Sequence, residues 1–340
     1  MLTPRENLLQ IIQGGKPEYL MDQRSYLGAV FDPIITDAVG FCEIGQTMKN
    51  AWGATITWTE GQPGPYPSDT AETRVIKDIE QWKDAVIPPD PASYTEDDWA
   101  PYLDAAAKVD RSQQFVTVEM PQGIFEKIHY LAGMEDTLCA FMEYPGEMHE
   151  LIDYMVDWEL KVAQVQLERF QPDALFHADD FGTQIGTLFS REVMQEFLVP
   201  AYQRLYGFWK DNGVQLIVHH NDAYSAPFVP EFIAMGIDIW QGPVTENDLP
   251  ALVKEYGGRI SFQGGIDNGK FDVQDWSYDK IYAHVKSLVA STGTLYMIPS
   301  FTSAAPGSAF PGAYEAASEA IAQVSREMFG ASQPPITLAV

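Results

Sequence analysis

The sequence predicts an α/β fold, a single (β/α)8 TIM barrel that spans residues 1–340 as one domain. From about residue 110 onward, short apolar runs alternate with long amphipathic runs, which is the pattern of parallel βαβ units. A chain of 340 residues is also within the size range of one such barrel. A doubly wound open sheet is the alternative, but no Gly-x-Gly-x-x-Gly turn follows a strand, which disfavours a dinucleotide-binding sheet.

Six strands are predicted clearly, each as a short apolar run that ends in polar or small residues. They lie at residues 114–120, 173–180, 214–222, 237–242, 259–267 and 293–300. Two further strands are expected nearer the N-terminus, one from "YLMDQR" and one from the weakly patterned region before residue 60. Together these would make the eight strands that close a barrel.

Between the strands, the spacing of apolar residues predicts two long amphipathic helices. Residues 146–170 carry apolar side chains at spacings of three and four. Residues 190–213 begin with Ser190 as an N-cap and contain Pro200, where we expect a kink. The first twenty residues are expected to form a capped helix that extends the barrel, not a signal sequence. The Gly- and Pro-rich region around residues 50–100 is interpreted as a lid or insertion.

The charge of the chain excludes several classes of partner. It has 48 acidic and 21 basic residues, for a formal net charge of -27. Such a surface repels phosphate, so binding to nucleic acid or to anionic membranes is not expected. No apolar run approaches the roughly 20 residues that cross a bilayer. Cys42 and Cys139 form no CxxC pair, which excludes disulfide frameworks and zinc fingers. We therefore expect a cytoplasmic protein.

Candidate site residues follow from the rule that a barrel places its chemistry at the carboxyl ends of its strands. The polar residues at the predicted strand ends are Glu119, Gln122, His177, Asp179, Asp180, His219, His220, Asp222, Gln241, Gln263 and Asp267. Adjacent strand residues point to opposite faces, so one member at most of Asp179/Asp180 and of His219/His220 is expected to face the site. The choice stays open, because a shift of one residue reverses every assignment.

The sequence lacks the motifs that several classes of enzyme require. The sequence contains no GxSxG elbow, no P-loop and no HExxH motif. A pair of carboxylates is all that a glycosidase needs, so that class stays open on spacing alone.

In order along the chain, several stretches resemble the uroporphyrinogen decarboxylase superfamily, and more closely its corrinoid-associated methyltransferase branch. They are "PRENLLQIIQGGKPEYL", "WGATITWTEGQPGPYP", "HADDFGTQIGTLFSREVMQEFLVPAYQRL", "VHHNDAYSAPFVPEFIAMGIDIWQG", "YGGRISFQGGID" and "PSFTSAAPGSAFPGAYEA". The resemblance covers nearly the whole chain. Its most specific part is Asp-Asp-x-Gly-x-Gln followed by the Ser-x-Glu helix.

The chain departs from two branches of that superfamily. The decarboxylase has an N-terminal arginine-rich stretch, close to "RQAGRY", that grips the carboxylates of its substrate. The corresponding stretch of this chain, "MDQRSYLGAV", has Arg24 as its only basic residue. In the thiol-methylating branch, a His-x-Cys strand end and a second Cys bind zinc. His219 matches that histidine, but Asn221 and Phe301 stand at or near the cysteine positions. A zinc site that activates a thiol is therefore not expected.

The resemblance implies a methyltransferase that moves a methyl group from a methoxylated, aromatic donor to the cobalt of a corrinoid protein. A general acid or a hard-ligand metal, with zinc as the candidate, would assist the leaving phenolate. The catalytic residues implied are His219, His220, Asp179 and Asp222, with His219 and Asp179 as metal ligands. Substrate contacts are assigned to Glu119, Gln122, His177, Asp180, Gln241, Gln263, Asp267 and Phe301. The alternatives are methyl transfer from a methyl-corrinoid to tetrahydrofolate, and a protein that only binds a ligand.

Overall fold

A curled parallel sheet forms the centre of the protein. The computed structural model describes residues 1–60, 62, 64–305 and 307–331. In these residues seven parallel strands are hydrogen-bonded in the order β1, β5, β6, β7, β8, β9, β10. They are β1 Leu27–Val30, β5 Phe115–Met120, β6 Ala174–Ala178, β7 Leu216–His220, β8 Ile239–Gln241, β9 Ser261–Ile266 and β10 Met297–Phe301. The α/β class and the TIM-barrel-like architecture are thus confirmed.

The number and position of the early strands differ from the prediction. β1 begins after "YLMDQR", because Gln23 has a left-handed backbone, with φ of 42°, that an extended strand does not tolerate. The region before residue 60 supplies β1 to the barrel, and it also supplies β2 Thr47–Lys49 and β3 Thr55–Thr57 to a separate antiparallel sheet that β4 Tyr66–Pro67 completes. Gln23 itself bonds to both β10 and β9, through the Phe301 amide at 3.1 Å and the Gln263 side chain at 3.2 Å.

Helices cover the outer face of the sheet. They are α1 Pro4–Ile12, α2 Pro33–Val39, α3 Trp82–Ala85, α4 Glu96–Ala106, α5 Ile124–Ala132, α6 Met134–Glu143, α7 Pro145–Phe170, α8 Arg191–Val193, α9 Val199–Asp211, α10 Val229–Met235, α11 Leu249–Tyr256, α12 Asn268–Phe271, α13 Tyr278–Thr292 and α14 Ala313–Phe329. In the described residues, no helix combines the length and apolarity that crossing a membrane requires.

The predicted helices are present with the expected caps. Thr3 and Glu6 form a capping box at the start of α1. α7 covers residues 146–170, as predicted. Ser190 caps α8, and the expected kink near Pro200 takes the form of a π-helical turn, Met194–Leu198, that joins α8 to α9. Because proline has no amide hydrogen to donate into the preceding turn, an irregular turn costs less there than elsewhere.

The region around residues 50–100 divides into two parts. The sheet of β2, β3 and β4, called here the lid sheet, includes Tyr66, whose pKa is raised by burial and then by Asp222 and Asp180 at the ends of barrel strands. The later part joins the helix layer, where Trp82 packs on Tyr154 with ring centroids 5.2 Å apart and Trp99 packs on Phe170 at 5.6 Å. These two tryptophans are buried and fix α3 and α4 against α7.

The pleat of the strands separates two sets of side chains. Those that point into the barrel include Phe115, Phe176, Leu216, Val218 and Ile239, and they pack with residues of α1. Their neighbours point outward to the helices, among them Val116, Leu175, Ile217, Trp240 and Phe262. This alternation continues to the strand ends and decides which polar residues enter the mouth.

Candidate active site at the carboxyl ends of the strands

Asp180, His220 and Asp222 come together at the mouth of the barrel. One potential ligand atom from each lies within 4.8 Å of the others. His220 ends β7 and follows Leu216 and Val218 on the interior face. Asp180 and Asp222 each stand two residues beyond the end of a strand, and the Asp222 amide donates to Asp180 Oδ1 at 2.9 Å. The two loops therefore hold the three side chains as one group, called here the mouth cluster.

The protonation state of His220 follows from its contact with Gln241. The Gln241 amide nitrogen donates to the carbonyls of Phe301, Thr302 and Ser303, at 3.3, 3.1 and 3.3 Å. Its carbonyl oxygen must then face Nδ1 of His220, with which it forms a hydrogen bond. Nδ1 therefore carries the proton, and Nε2 presents a lone pair. Burial lowers the pKa of His220, which keeps the ring neutral. A second hydrogen bond of this kind commonly orients a histidine that binds a metal.

The electrostatics of the mouth cluster favour a proton or a cation. Burial, followed by the charges of Asp222 and Asp179, raises the pKa of Asp180 well above its ordinary value. Glu126, in the first turn of α5, has its pKa raised by burial and by Asp180 and Asp179. The carboxylates of Asp180, Asp222 and Glu126 thus repel one another in a partly buried setting, and bound positive charge would relieve that repulsion.

The donors of the mouth cluster fit a divalent metal ion. A neutral imidazole nitrogen and two carboxylates form a nitrogen and oxygen donor set, which suits Zn²⁺ and harder divalent ions. The residues that could hold such an ion are Asp180, His220 and Asp222. This set differs from the predicted pair of His219 and Asp179, because the pleat directs those two side chains to the helix side of the sheet.

Asp179 anchors helix α5. Its carboxylate accepts hydrogen bonds from the amides of Phe125 and Glu126, at 2.8 and 2.9 Å, and from the Tyr202 hydroxyl. Burial raises the pKa of Asp179 to about 6, although these three donors act to lower it. A Cβ on Gly123 would lie 2.3 Å from Cβ of Asp179, so only glycine permits this approach. Asp179 therefore positions the first turn of α5, and Glu126 with it.

His219 and His177 also lie on the helix side of the sheet. The Tyr206 hydroxyl bridges them, 2.9 Å from Nδ1 of His177 and 2.8 Å from Nδ1 of His219. The ring of His219 stacks on Phe181 with centroids 5.4 Å apart. Both histidines are fully buried. The structure does not bring His219, predicted as catalytic, or His177, predicted to contact substrate, to the mouth cluster.

Four of the predicted substrate residues point into the barrel, and one of them, Asp180, belongs to the mouth cluster. Glu119 pairs with Arg24 at 2.5 Å, and both are buried. Gln241 orients His220, as described above. Gln263 accepts from the Tyr26 hydroxyl at 2.5 Å. These side chains line the interior next to the mouth cluster, and their contact with substrate stays a prediction.

The other predicted substrate residues have local roles. Asp267 caps α12 through the Gly269 amide at 2.9 Å and lies 3.5 Å from the Lys270 amine. Phe301 is buried on the helix side and stacks on Tyr314 with centroids 6.1 Å apart. Gln122 is buried, and its backbone carbonyl accepts from the Lys127 amine.

Two residues near the mouth cluster were not predicted from the sequence. Glu126 could have been found, because the first turn of the helix after a barrel strand lies at the carboxyl end of that strand. Tyr66, on β4 of the lid sheet, has its pKa raised by burial and then by Asp222 and Asp180, which places it near both. No strand-end signal marks Tyr66, since it belongs to the insertion.

A cavity of about 710 Å³ lies beside the barrel, and the interior side chains of Glu119 and Phe176 belong to its wall. Its apolar wall contains Leu20, Leu27, Phe31, Phe41, Phe176 and Ile321, and its charged side chains are Asp22, Arg24, Glu119, Glu315 and Glu319. This side cavity lies between β1, the residues that follow β10, and α14. Ligand pockets of small molecules commonly have volumes of this order.

Adjacent Asp179 and Asp180 are expected to differ in their effect on stability. Asp179→Ala leaves two buried amides of α5 without an acceptor, so we expect the free energy of unfolding to fall by about 2 kcal/mol. Asp180→Ala removes one acceptor, for the Asp222 amide, but also a carboxyl group whose charge is disfavoured by burial and by Asp222, so the free energy of unfolding should change by less than about 1 kcal/mol. Urea unfolding at neutral pH measures both. An equal loss in the two variants would contradict these roles.

Comparisons with known proteins agree with this architecture. The model of the family described as uroporphyrinogen decarboxylase (URO-D) matches residues 36–297. No curated protein matches the sequence. Among solved structures, a methyltransferase from Methanosarcina mazei is similar, with a TM-score of 0.63, 14% sequence identity, and coverage of 97% of this chain and 100% of that chain. At that identity the likeness shows a common fold. Because the family model spans most of its length, the chain belongs to the uroporphyrinogen decarboxylase family.

Proposed function

We propose that the protein is a methyltransferase that moves a methyl group from a methoxylated aromatic donor to the cobalt of a corrinoid protein. The observation that carries this proposal is the mouth cluster of Asp180, His220 and Asp222, a nitrogen and oxygen donor set without sulfur. Such donors act on an oxygen atom and are poorly suited to activating a thiol. The fold shared with a methyltransferase from Methanosarcina mazei supports the reaction class.

The mouth cluster has to assist only the departure of the phenolate. The cobalt(I) of the corrinoid protein is the acceptor and a strong nucleophile, so the bond between methyl carbon and ether oxygen breaks as the bond to cobalt forms. The phenolate keeps the electron pair and then needs a proton. A metal ion held by the cluster would stabilise the phenolate oxygen as a Lewis acid. Glu126, whose pKa is raised by burial and by Asp180 and Asp179, can deliver the proton.

The surroundings of Arg24 argue against decarboxylation of a polycarboxylate. Arg24 is already paired with Glu119 at 2.5 Å and donates to the Ala304 carbonyl. The side cavity adds the acidic groups of Asp22, Glu315 and Glu319 to its wall. A substrate that carries several carboxylates would meet repulsion there without a free guanidinium to bind it.

A partner protein is supported by apolar side chains exposed near the mouth. They are Phe31, Phe41, Ile44, Ile185 and Phe310, and Ile185 in the loop after β6 is 83% exposed. Large apolar side chains at one end of a strongly acidic protein are typical of a surface that another protein covers. We assign the corrinoid protein to that surface, because its cobalt must reach the donor at the mouth.

The test is a methyl-transfer assay with the purified full-length chain. Free cob(I)alamin, kept reduced chemically, replaces the corrinoid protein, and a panel of methoxylated aromatic compounds supplies the methyl group. We expect methylcobalamin and the matching phenol to form in equal amounts with at least one donor. Formation of methyltetrahydrofolate from methylcobalamin, with no reaction of any methoxylated compound, would replace this proposal with the folate half-reaction. Absence of both reactions would favour a protein that only binds a ligand.

A further inference from the structure

The charges in the side cavity are unequal. Its wall contains four carboxyl groups, from Asp22, Glu119, Glu315 and Glu319, whereas Arg24 supplies the basic group within the described wall. Arg326, outside the wall, pairs with Glu319 at 2.8 Å, so four carboxyl groups meet two guanidinium groups. The Arg24 guanidinium is committed, since it pairs with Glu119 at 2.5 Å, donates to the Ala304 carbonyl and lies 4.1 Å from the centroid of the Phe176 ring. An anionic ligand would therefore find repulsion and no free cation.

The side cavity is close to the mouth cluster. Phe176 belongs to the cavity wall, and its ring also stacks on His220, with centroids 6.1 Å apart and planes inclined by 22°. Arg24 covers a face of Phe176, so a second aromatic ring in the cavity would contact the edge of Phe176, which then separates it from His220. Phe31 and Phe41, which pack edge to face at 6.2 Å, provide further aromatic surface in the same wall.

We propose that the side cavity binds the ring of the methyl donor and selects neutral or cationic methoxylated aromatics over methoxylated aromatic acids. The identity of the ligand as a methyl donor rests on the proposed function, whereas the charge preference follows from the cavity itself. A carboxylate that enters loses its hydration and meets more carboxyl groups than guanidinium groups, and both guanidinium groups are already paired. An ammonium group gains from the excess of carboxyl groups, Glu315 among them.

The test compares three ligands of similar size by calorimetric titration of the full chain. They are 3-methoxyphenol, 3-methoxybenzylamine and 3-methoxybenzoate. We expect the benzoate to bind at least ~10-fold more weakly than the phenol, and the amine to bind at least as tightly as the phenol. A benzoate affinity equal to that of the phenol would overturn the proposal.

Two variants connect the preference to the cavity. Ala29, on β1, is exposed into the cavity, so Ala29→Phe should fill part of it and weaken all three ligands by ~10-fold or more. Ala290→Phe, on the exposed face of α13 and outside the cavity wall, is the matched control and should leave binding unchanged. Equal binding by the Ala29→Phe protein and the parent would place the ligand elsewhere and overturn the proposal.

Charge variants test the selectivity itself. Glu119→Gln releases the Arg24 charge and should raise the affinity for 3-methoxybenzoate ~10-fold. Because Glu119 is buried, Glu315→Lys, at an exposed position of the cavity wall, provides the same direction of change without disturbing the interior. Benzoate affinity unchanged in both variants would overturn the proposal. If selectivity follows the charges but no methyl transfer occurs with any donor, the proposed function fails while the cavity assignment stands.

Discussion

His220→Ala is expected to lower the affinity for a divalent metal ion at least ~100-fold and to reduce methyl transfer by a factor of ~100 or more. The reason is geometric. His220 supplies the nitrogen of the mouth cluster, and Gln241 fixes its ring so that Nε2 presents a lone pair to that cluster. Without this ligand, Asp180 and Asp222 remain as two mutually repelling carboxylates.

His219→Phe is the matched control for this prediction. The ring of His219 faces the helix layer, where it stacks on Phe181 and forms a hydrogen bond with the Tyr206 hydroxyl. The variant should therefore keep its metal and its activity, at some cost in stability from the lost hydrogen bond. Elemental analysis of protein purified without chelator, together with the cobalamin assay, measures both properties. Loss of metal in His219→Phe and retention in His220→Ala would show that the other face of β7 holds the ion.

A parent protein that takes up no metal, even when Zn²⁺, Mn²⁺ or Fe²⁺ is supplied, would contradict a metal site. The cluster would then act through protons alone, from Asp180 and Glu126. In that case His220→Ala should still reduce methyl transfer, because His220 closes one side of the cluster.

The fold could be predicted from the sequence, but the face of the sheet to which each single side chain points could not. All six strands predicted after residue 110 are present, since short apolar runs that alternate with amphipathic helices are typical of buried parallel strands. Within each run, however, the pattern is apolar on both faces, because a parallel sheet is buried on both sides. Nothing in "LIVHH" distinguishes the face of His219 from that of His220. Only the hydrogen-bond register with β6 and β8 does so.

The early part of the chain is harder to predict for a different reason. The expected strand in "YLMDQR" depends on local propensity, but Gln23 adopts a left-handed conformation and its side chain bonds to Phe301, nearly three hundred residues away. Tertiary contacts of that range are invisible in a local pattern. The same holds for Tyr66 of the lid sheet, whose pKa is raised by burial and then by the charges of Asp222 and Asp180.

Lys127→Met is expected to lower the free energy of unfolding by about 3–5 kcal/mol, a large fraction of the stability of a typical domain. Lys127 and Glu159 form an ion pair at 2.6 Å with 3% and 0% of their side chains exposed. The lysine amine also donates to the Gln122 carbonyl. Removing the cation leaves the Glu159 carboxylate buried without its main partner, since His177 lies farther away at 3.3 Å.

The matched control is an exposed pair of the same chemistry. Lys83 and Glu150 also lie 2.6 Å apart, but 63% and 58% of their side chains are exposed. Lys83→Met should cost less than about 1 kcal/mol, because water already solvates both charges. The double variant Lys127→Met with Glu159→Met should recover most of the loss, since no buried charge remains. Guanidinium unfolding measured by circular dichroism gives all three values, and equal losses for the two lysines would contradict the argument.

The pH dependence of stability offers an independent check on the Lys127–Glu159 pair. Burial alone would raise the pKa of Glu159, but the charges of Lys127 and His177 lower it to about 2. The pair should therefore contribute its full stability above pH about 4.5 and lose it as the pH falls toward 2. Lys127 follows Glu126 on α5, so the ion pair with α7 and the cap from Asp179 hold the same helix turn. We therefore expect Lys127→Met, where it still folds, to move Glu126 and lower methyl transfer, which Lys83→Met should not do.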